Sequence, residues 1–464
     1  MSDFRHTSVA VLLVVLTLSV IAGAGCNSLN PSQSNPENVI LMIPDGCGPA
    51  SMTMARDYVR DVEQTGHRGG EGLVLDSLQV GSVHTYATDR RVTDSAAGAT
   101  AYACGVKTYY TAVAVDTLKR KIATVLEGAE EKGMSTGLVA TSRITHATPA
   151  AFSAHVASRY EENEIARQQL TRDIEVILGG GRRHFLPASE GGVREDGRNL
   201  LQEADDLGYN VVETRKAFDR LEELPVLGLF TPAHMSYEID RQSSEEPSLS
   251  EMTRKALSLL RDSSEEGFFL MIEGSRIDHA GHDNDPAAHL REILEYDRTV
   301  SEVLSFARSD GQTLVVSVSD HETGGLSLVG GWEPDVLDGV TGSREQIAAE
   351  ITEGSSSPEE VVRRRTGIEL SPDEEETLEN VRSDSEQLQG RVSELISSWA
   401  GLDWATGGHT AVDVNLYAYG PGSDRFVGHH DNTYIGRTVA DLLGIDLEQL
   451  TRQLQEGNRE AVTD

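Results

Sequence analysis

Cysteine is nearly absent, with three residues in 464, at positions 26, 47 and 104. So few thiols exclude a disulfide framework; a bond between Cys47 and Cys104 stays open, free buried thiols being the default expectation. Positive charge is scarce as well. Forty Lys and Arg face 75 Asp and Glu, a formal net charge of -35. That balance excludes nucleic acid and anionic membrane surfaces as electrostatic partners and suits a surface kept soluble in concentrated salt. There is no internal repeat, and neither a G-x-S-x-G elbow nor a Ser-His-Asp arrangement to activate a serine. The segment RVTDSAAGATAYACG (91–105) lacks the larger apolar residues that normally fill a core every third or fourth position. Its small residues imply that something approaches this backbone closely.

A long continuous apolar stretch occurs at the N-terminus, where Arg5 and His6 precede SVAVLLVVLTLSVIAGAG. It reads as a secretory signal over residues 1–26. AGA at 22–24 fits a signal-peptidase site, GAGC at 23–26 fits a lipoprotein site with Cys26 acylated, and a retained anchor is a third outcome. The expectation is the lipoprotein type, with the polar linker 27–38 as a tether. The protein is then exported, periplasmic or at the cell surface, and attached to the membrane through Cys26.

Beyond the linker, the runs VILMI (39–43), TGLVA (136–140), FFLMI (268–272) and TLVVSVS (313–319) alternate with helical patterns. One of these, residues 285–307, places Leu290, Ile293, Leu294, Val300, Val303 and Leu304 on one face, with Asp285 as cap and Pro286 at the first helical position. The alternation predicts an α/β fold with a mostly parallel central sheet and helices on both faces, forming a single domain over 39–464. Residues 343–400 differ, being rich in Ser, Glu and Arg. SPEE (357–360) and SPDE (371–374) are Ser-capped helix starts, so this stretch reads as a helical insertion, loosely packed and solvent exposed.

Chemistry collects after the apolar runs. VILMI leads into Pro44-Asp45, FFLMI into Glu273, and TLVVSVS into Asp320-His321. Open α/β sheets bind ligands at the carboxyl ends of their strands, so three such strands would aim carboxylates at one crevice. Carboxylates gathered that way repel one another unless a cation joins them. EGSRIDHAGH (273–282) adds Asp278 and His282, four apart, with His279 beside them, and GGHTA (407–411) adds His409. Imidazole with carboxylate suits zinc, and an all-oxygen set suits magnesium.

The stretches PDGCG (44–48), TDSAAGATAYACGVKT (93–108), THATPAAFSAHVASR (145–159), EGSRIDHAGH, SDHETGG (319–325) and GGHT resemble the signature segments of the alkaline phosphatases. They occur in that family's order and across nearly the whole chain. The resemblance implies hydrolysis of phosphate monoesters through a phosphoserine on Ser95, with Arg159 gripping the phosphoryl oxygens. It implies two zinc ions, one on Asp278, His282 and His409, the other on Asp320, His321 and Asp45. A third metal, magnesium, would lie between Asp45, Thr148 and Glu273. His146 and His279 fall near that third metal or the phosphate, at positions where the enteric bacterial form has Asp and Lys and the animal enzymes have His. Many relatives are dimers, so a homodimer is expected. His155 reads as a structural residue on a helix, and His429 and His430 as loop residues. Sulfatases need a modified Cys or Ser in a C/S-x-P-x-R setting, which the Ala-Ala-Gly after Ser95 does not provide. A phosphodiester remains the rival substrate, and a noncatalytic surface protein with structural metals is the remaining alternative.

Overall fold

The computed structural model of the protein describes residues 35–62 and 72–460. The signal stretch, Cys26 and most of the linker lie outside the described residues. Fourteen strands are present among them: β1 (Asn38–Ile43), β2 (Gln79–His84), β3 (Ser135–Arg143), β4 (Val176–Gly180), β5 (Asn210–Val212), β6 (Val226–Leu229) and β7 (Phe268–Glu273). These are followed by β8 (Thr313–Val318), β9 (Glu322–Thr323), β10 (Leu326–Leu328), β11 (Leu402–Trp404), β12 (His409–Thr410), β13 (Val414–Tyr419) and β14 (Gly428–Asp431).

Ten of them form one sheet in the order β14-β2-β13-β8-β1-β7-β3-β4-β6-β5. Within it β13 runs antiparallel to both its neighbours, and the other pairs are parallel. The predicted mostly parallel sheet is therefore present. Its centre shows why the runs VILMI and FFLMI are unbroken in apolar character. In β1, Ile40 and Met42 enter the core on one face while Val39, Leu41 and Ile43 enter the core on the other. β7 divides likewise, with Phe268, Leu270 and Ile272 on the first face and Phe269 and Met271 on the second. Side chains alternate along a strand, so a strand covered on both faces has no polar position to spare. Each large side chain buried this way contributes roughly 1.5–3 kcal/mol.

The helix Pro286–Asp310 starts as its sequence requires, with Asp285 accepting from the backbone N–H of Ala287 and Ala288 and Pro286 at the first position. Residues 343–400 contain four helices, Arg344–Glu353, Pro358–Thr366, Pro372–Val381 and Ser385–Ala400. They pack more closely than the expected loose insertion. Ile347, Ile351, Val361, Leu378, Val392 and Ile396 are buried to within 2% and belong to the same apolar cluster as Ile40. Their polar faces mask this in the sequence, because an amphipathic helix hides only a stripe.

Two smaller expectations are corrected. His429 and His430 lie in β14, paired in parallel with β2, and not in a loop. His155 lies just beyond the helix Ala147–Ser153, and not within one. It is buried, with Nδ1 2.8 Å from the Ala114 carbonyl and Nε2 3.0 Å from Glu127. Cys47 and Cys104 are free and buried, and burial pushes the Cys47 thiol up to about 12. No helix among the described residues is long and apolar enough to cross a membrane.

Candidate active site

Strands β8, β1 and β7 are neighbours in the sheet and parallel. Their carboxyl ends deliver Asp320 and His321, Asp45, and Glu273 to one place. The turn after β1 depends on Gly46, whose φ is 75°. A Cβ there would come within 2.7 Å of the Asp278 backbone, so only glycine permits this close approach. The helix Arg276–His282 then presents Asp278 and His282 one turn apart. His409 arrives on β12, which pairs antiparallel with β9 so that His409 lies opposite Thr323.

Ser95 is the first residue of the helix Ser95–Cys104, and Asp94 caps it by accepting from the Ala97 N–H. All ten residues of that helix are buried. A Cβ at Gly98 would lie 3.1 Å from atoms of Asp320, which accounts for part of the small-residue run. The helix must lie against the loop that carries the ligands.

Three groups of metal-ligating side chains result: Asp278, His282 and His409; Asp45, Asp320 and His321; and Asp45, His146 and Glu273. Within each, one donor atom per residue lies within 4.8 Å of the others. The hydrogen bonds reveal what these groups lack. Nδ1 of His282 is 2.8 Å from the Gly407 carbonyl and Nδ1 of His409 is 2.9 Å from the Thr93 carbonyl. A carbonyl only accepts, so both rings carry their proton on Nδ1 and both Nε2 atoms present lone pairs. Those two Nε2 atoms face each other at 3.1 Å and lie 3.4 and 3.6 Å from oxygens of Asp278. Acceptors are gathered here with no donor between them.

The second group repeats the pattern. Thr323 gives its hydroxyl proton to Asp278 at 2.6 Å and so accepts from Nδ1 of His321 at 3.2 Å. The His321 lone pair on Nε2 is thereby aimed at Asp45 Oδ1 and Asp320 Oδ2, each 3.5 Å away, and at Ser95 Oγ, 3.2 Å away. Asp45 Oδ1, Asp320 Oδ2, Glu273 Oε1 and His146 Nδ1 are all buried without a hydrogen-bond partner. Such atoms are costly in a folded interior unless a cation satisfies them.

Electrostatics agree. Burial holds the Asp45 carboxyl well above the usual range, and Asp320, Asp278 and Glu273 add to the effect. Asp320 is pushed up to about 7 by burial, with Asp278 and Glu273 adding. Burial also raises Glu273. His321 and His146 are held well below the usual imidazole range by burial, then by His409 and Arg159 respectively. Neutral imidazoles are the form that binds metals.

Of the remaining expected residues, Thr148 Oγ1 lies 3.5 Å from Asp45 Oδ2. Arg159 donates from one nitrogen to Asp94 at 3.1 Å, and another nitrogen lies 2.9 Å from His146 Nε2. His279 lies one layer back, its ring 5.5 Å from that of His146. Sequence reasoning missed two neighbours. His234 sits with its ring 4.2 Å from His279 and 5.4 Å from His146, held by Arg143. Thr323 orients both Asp278 and His321. Neither stands in a spacing that announces it, although Thr323 follows His321 by two residues.

A parallel-sheet core that collects three cation-seeking donor groups around a helix-borne serine defines a class of hydrolase. The chain belongs to the alkaline phosphatase family, whose profile matches residues 36–445. It is 38% identical to the repressible alkaline phosphatase of Saccharomyces cerevisiae, over 97% of this chain and 89% of that protein. It is 37% identical to alkaline phosphatase 3 of Bacillus subtilis, over 90% of this chain and 91% of that one. The crystal structure of a cold-active alkaline phosphatase from a psychrophilic Shewanella superposes with a TM-score of 0.81 at 35% identity, covering 88% of this chain and 99% of that chain. The Thermus thermophilus alkaline phosphatase superposes at 0.78 and 30% identity, covering 95% and 100%. The protein is thus a phosphomonoesterase, a metal-using family's member.

Proposed function

We propose that the chain hydrolyses phosphate monoesters by way of a phosphoserine at Ser95. The observation that carries this reading is the placement of Ser95 Oγ, 3.2 Å from a His321 nitrogen whose other neighbours are unpartnered carboxylate oxygens. Asp278, His282 and His409 would hold one zinc ion, and Asp45, Asp320 and His321 the other. Asp45 would also serve a third ion, magnesium, with Glu273 and Thr148, and His146 would adjoin it. Bound there, the ions supply the positive charge that stabilises a serine oxyanion and the departing oxygen.

The chain's own residues do the rest. The start of the helix Ser95–Cys104 favours a phosphoryl group beside Ser95. Arg159, partly exposed and oriented by Asp94, offers a planar fork to two phosphoryl oxygens. In the first step the Ser95 O–P bond forms and the ester P–O bond breaks, the serine proton passing to solvent while the departing oxygen takes one up and leaves as the alcohol. In the second, water adds to phosphorus, the Ser95 O–P bond breaks, and a proton from that water restores the serine hydroxyl as inorganic phosphate leaves. A cleft of about 630 Å³ is lined by His282, Asn284, Ser397 and Trp404 beside the first donor group.

Ser95→Ala should lower turnover of nitrophenyl phosphate about 10³-fold or more while metal content is kept. An equally active variant would overturn the role of Ser95. Faster turnover of the bis-nitrophenyl diester than of the monoester would favour the rival substrate class. His146 bears on the third ion. In the related Antarctic TAB5 alkaline phosphatase, mutants replacing a histidine by Asp or Glu have Mg bound in the M3 site, and His146→Asp is expected to strengthen magnesium binding here. We also propose that the protein is exported as a lipoprotein acylated on Cys26, at the periplasmic membrane or the cell surface, and that it acts as a homodimer. Mass spectrometry of the mature N-terminus and sedimentation test these two points.

A further inference from the structure

The edge of the main sheet carries metal-ligating groups that catalysis does not use. β2 ends at His84, β14 contains His429, and Asp413 immediately precedes β13. One donor atom from each lies within 4.8 Å of the others. Nδ1 of His84 is 3.0 Å from Asp413 Oδ1, and Nδ1 of His429 is 3.8 Å from Oδ2 of the same carboxylate.

Strand register brings them together. Val83 is buried and pairs with Val414 on one side and His430 on the other. Alternation turns Ser82 and His84 to the opposite face. His429 pairs with Ser82 in the parallel ladder and therefore shares that face. Asp413, one residue before Val414, falls beside His84. His430 confirms the alternation from the other side, where its ring stacks 4.1 Å from Tyr434. Two strand residues and the residue that leads into a third adjacent strand thus converge on one exposed face, positioned by the sheet.

We propose that His84, Asp413 and His429 form a further binding site for a divalent transition metal, zinc by the chemistry of its donors. Two imidazoles and a carboxylate are a set that zinc accepts, with water or another ligand completing the coordination. A tetrahedral zinc with ligands at about 2.0–2.1 Å sets its donor atoms about 3.3 Å apart, between the two separations observed. Ser82 Oγ, 3.0 Å from His429 Nδ1, is the neighbouring polar group that must turn aside. The side chains keep 47%, 44% and 57% of their surface, so an ion enters from solvent without any opening of the fold. The strong negative charge of the chain raises the local concentration of cations. An ion there ties edge strand β14 to β2 and to the start of β13.

The test is titration of Zn²⁺ into the purified holoenzyme, followed by calorimetry and metal counting. The wild type should take up one further equivalent with micromolar affinity. Asp413→Asn, and separately the double variant His84→Ala with His429→Ala, should lose that equivalent while nitrophenyl phosphate turnover stays unchanged. Absence of saturable uptake by the wild type overturns the site whatever the variants do. Undiminished uptake by Asp413→Asn, an exposed and nearly isosteric change, overturns the assignment to these residues and marks the binding as diffuse attraction to an acidic surface.

Discussion

Asp320 and Glu127 are both buried acids with imidazole nearby, yet their environments act in opposite directions. Burial pushes each upward. At Glu127 the hydrogen bond and charge of His155, with Arg172 at 2.6 Å, outweigh it and bring the carboxyl down to about 2. At Asp320 the charges of Asp278 and Glu273 add to burial, and the carboxyl rises to about 7. One cluster carries its counter-charge within the chain and is complete. The other is complete only with cations from outside. A buried charge left without a partner is among the costliest features a fold can hold, so the second arrangement marks a place where the protein gives up stability for function.

The largest effect should come from removing that external charge. Chelation is expected to abolish phosphomonoesterase activity and lower the thermal midpoint, since each ion present at a thousandfold over its Kd contributes about 4 kcal/mol. An unchanged midpoint in the metal-free protein would break the contrast with Glu127. Asp320→Asn sharpens it further, because its two effects differ in sign. Activity with metals should fall about a hundredfold or more, while the metal-free protein gains about 1–2 kcal/mol in urea denaturation as a repelled carboxylate is lost.

Glu127→Gln should do the reverse, costing about 3 kcal/mol at pH 7 with little effect on turnover. The depressed carboxyl stabilises the fold fully above the ordinary glutamate range near 4.5. That contribution is lost as pH falls toward 2, so the gap between wild type and variant should narrow across that window. A gap independent of pH would mean the pair acts through packing alone. Gly46→Ala is the smallest change, expected to cost about 2 kcal/mol because alanine resists the left-handed conformation. It should also reduce activity by displacing Asp278. Full activity in this variant would show that the turn tolerates what its geometry excludes.

Much of this site was legible in the chain. Asp45 and Glu273 each follow an apolar run with nothing polar inside it, Asp320 follows one broken only by Thr313 and serines, and that pattern places acids at the ends of buried parallel strands. The one-turn spacing of Asp278 and His282 was equally plain. What stayed hidden depended on partners distant in sequence. The proton positions on His282 and His409 are dictated by the carbonyls of Gly407 and Thr93, and backbone atoms leave no mark on residue identity. His234 joins His146 and His279 from an ordinary loop. The helices between 343 and 400 looked loose because their buried stripe is thin and their polar residues are many. His84, Asp413 and His429 are separated by hundreds of residues or by a strand, and only the ladder through β2 aligns them.

Local order in the chain was enough to determine four central strands, the helix start at Pro286, the Ser-capped starts at Ser357 and Ser371, and the kinds of atom available for chemistry, because periodicity and capping act over a few residues. Which atoms meet, which lone pairs face one another and which acids lack a partner were decided by the folded sheet. Those properties vary with distances of a few ångströms between segments that no spacing along the chain encodes.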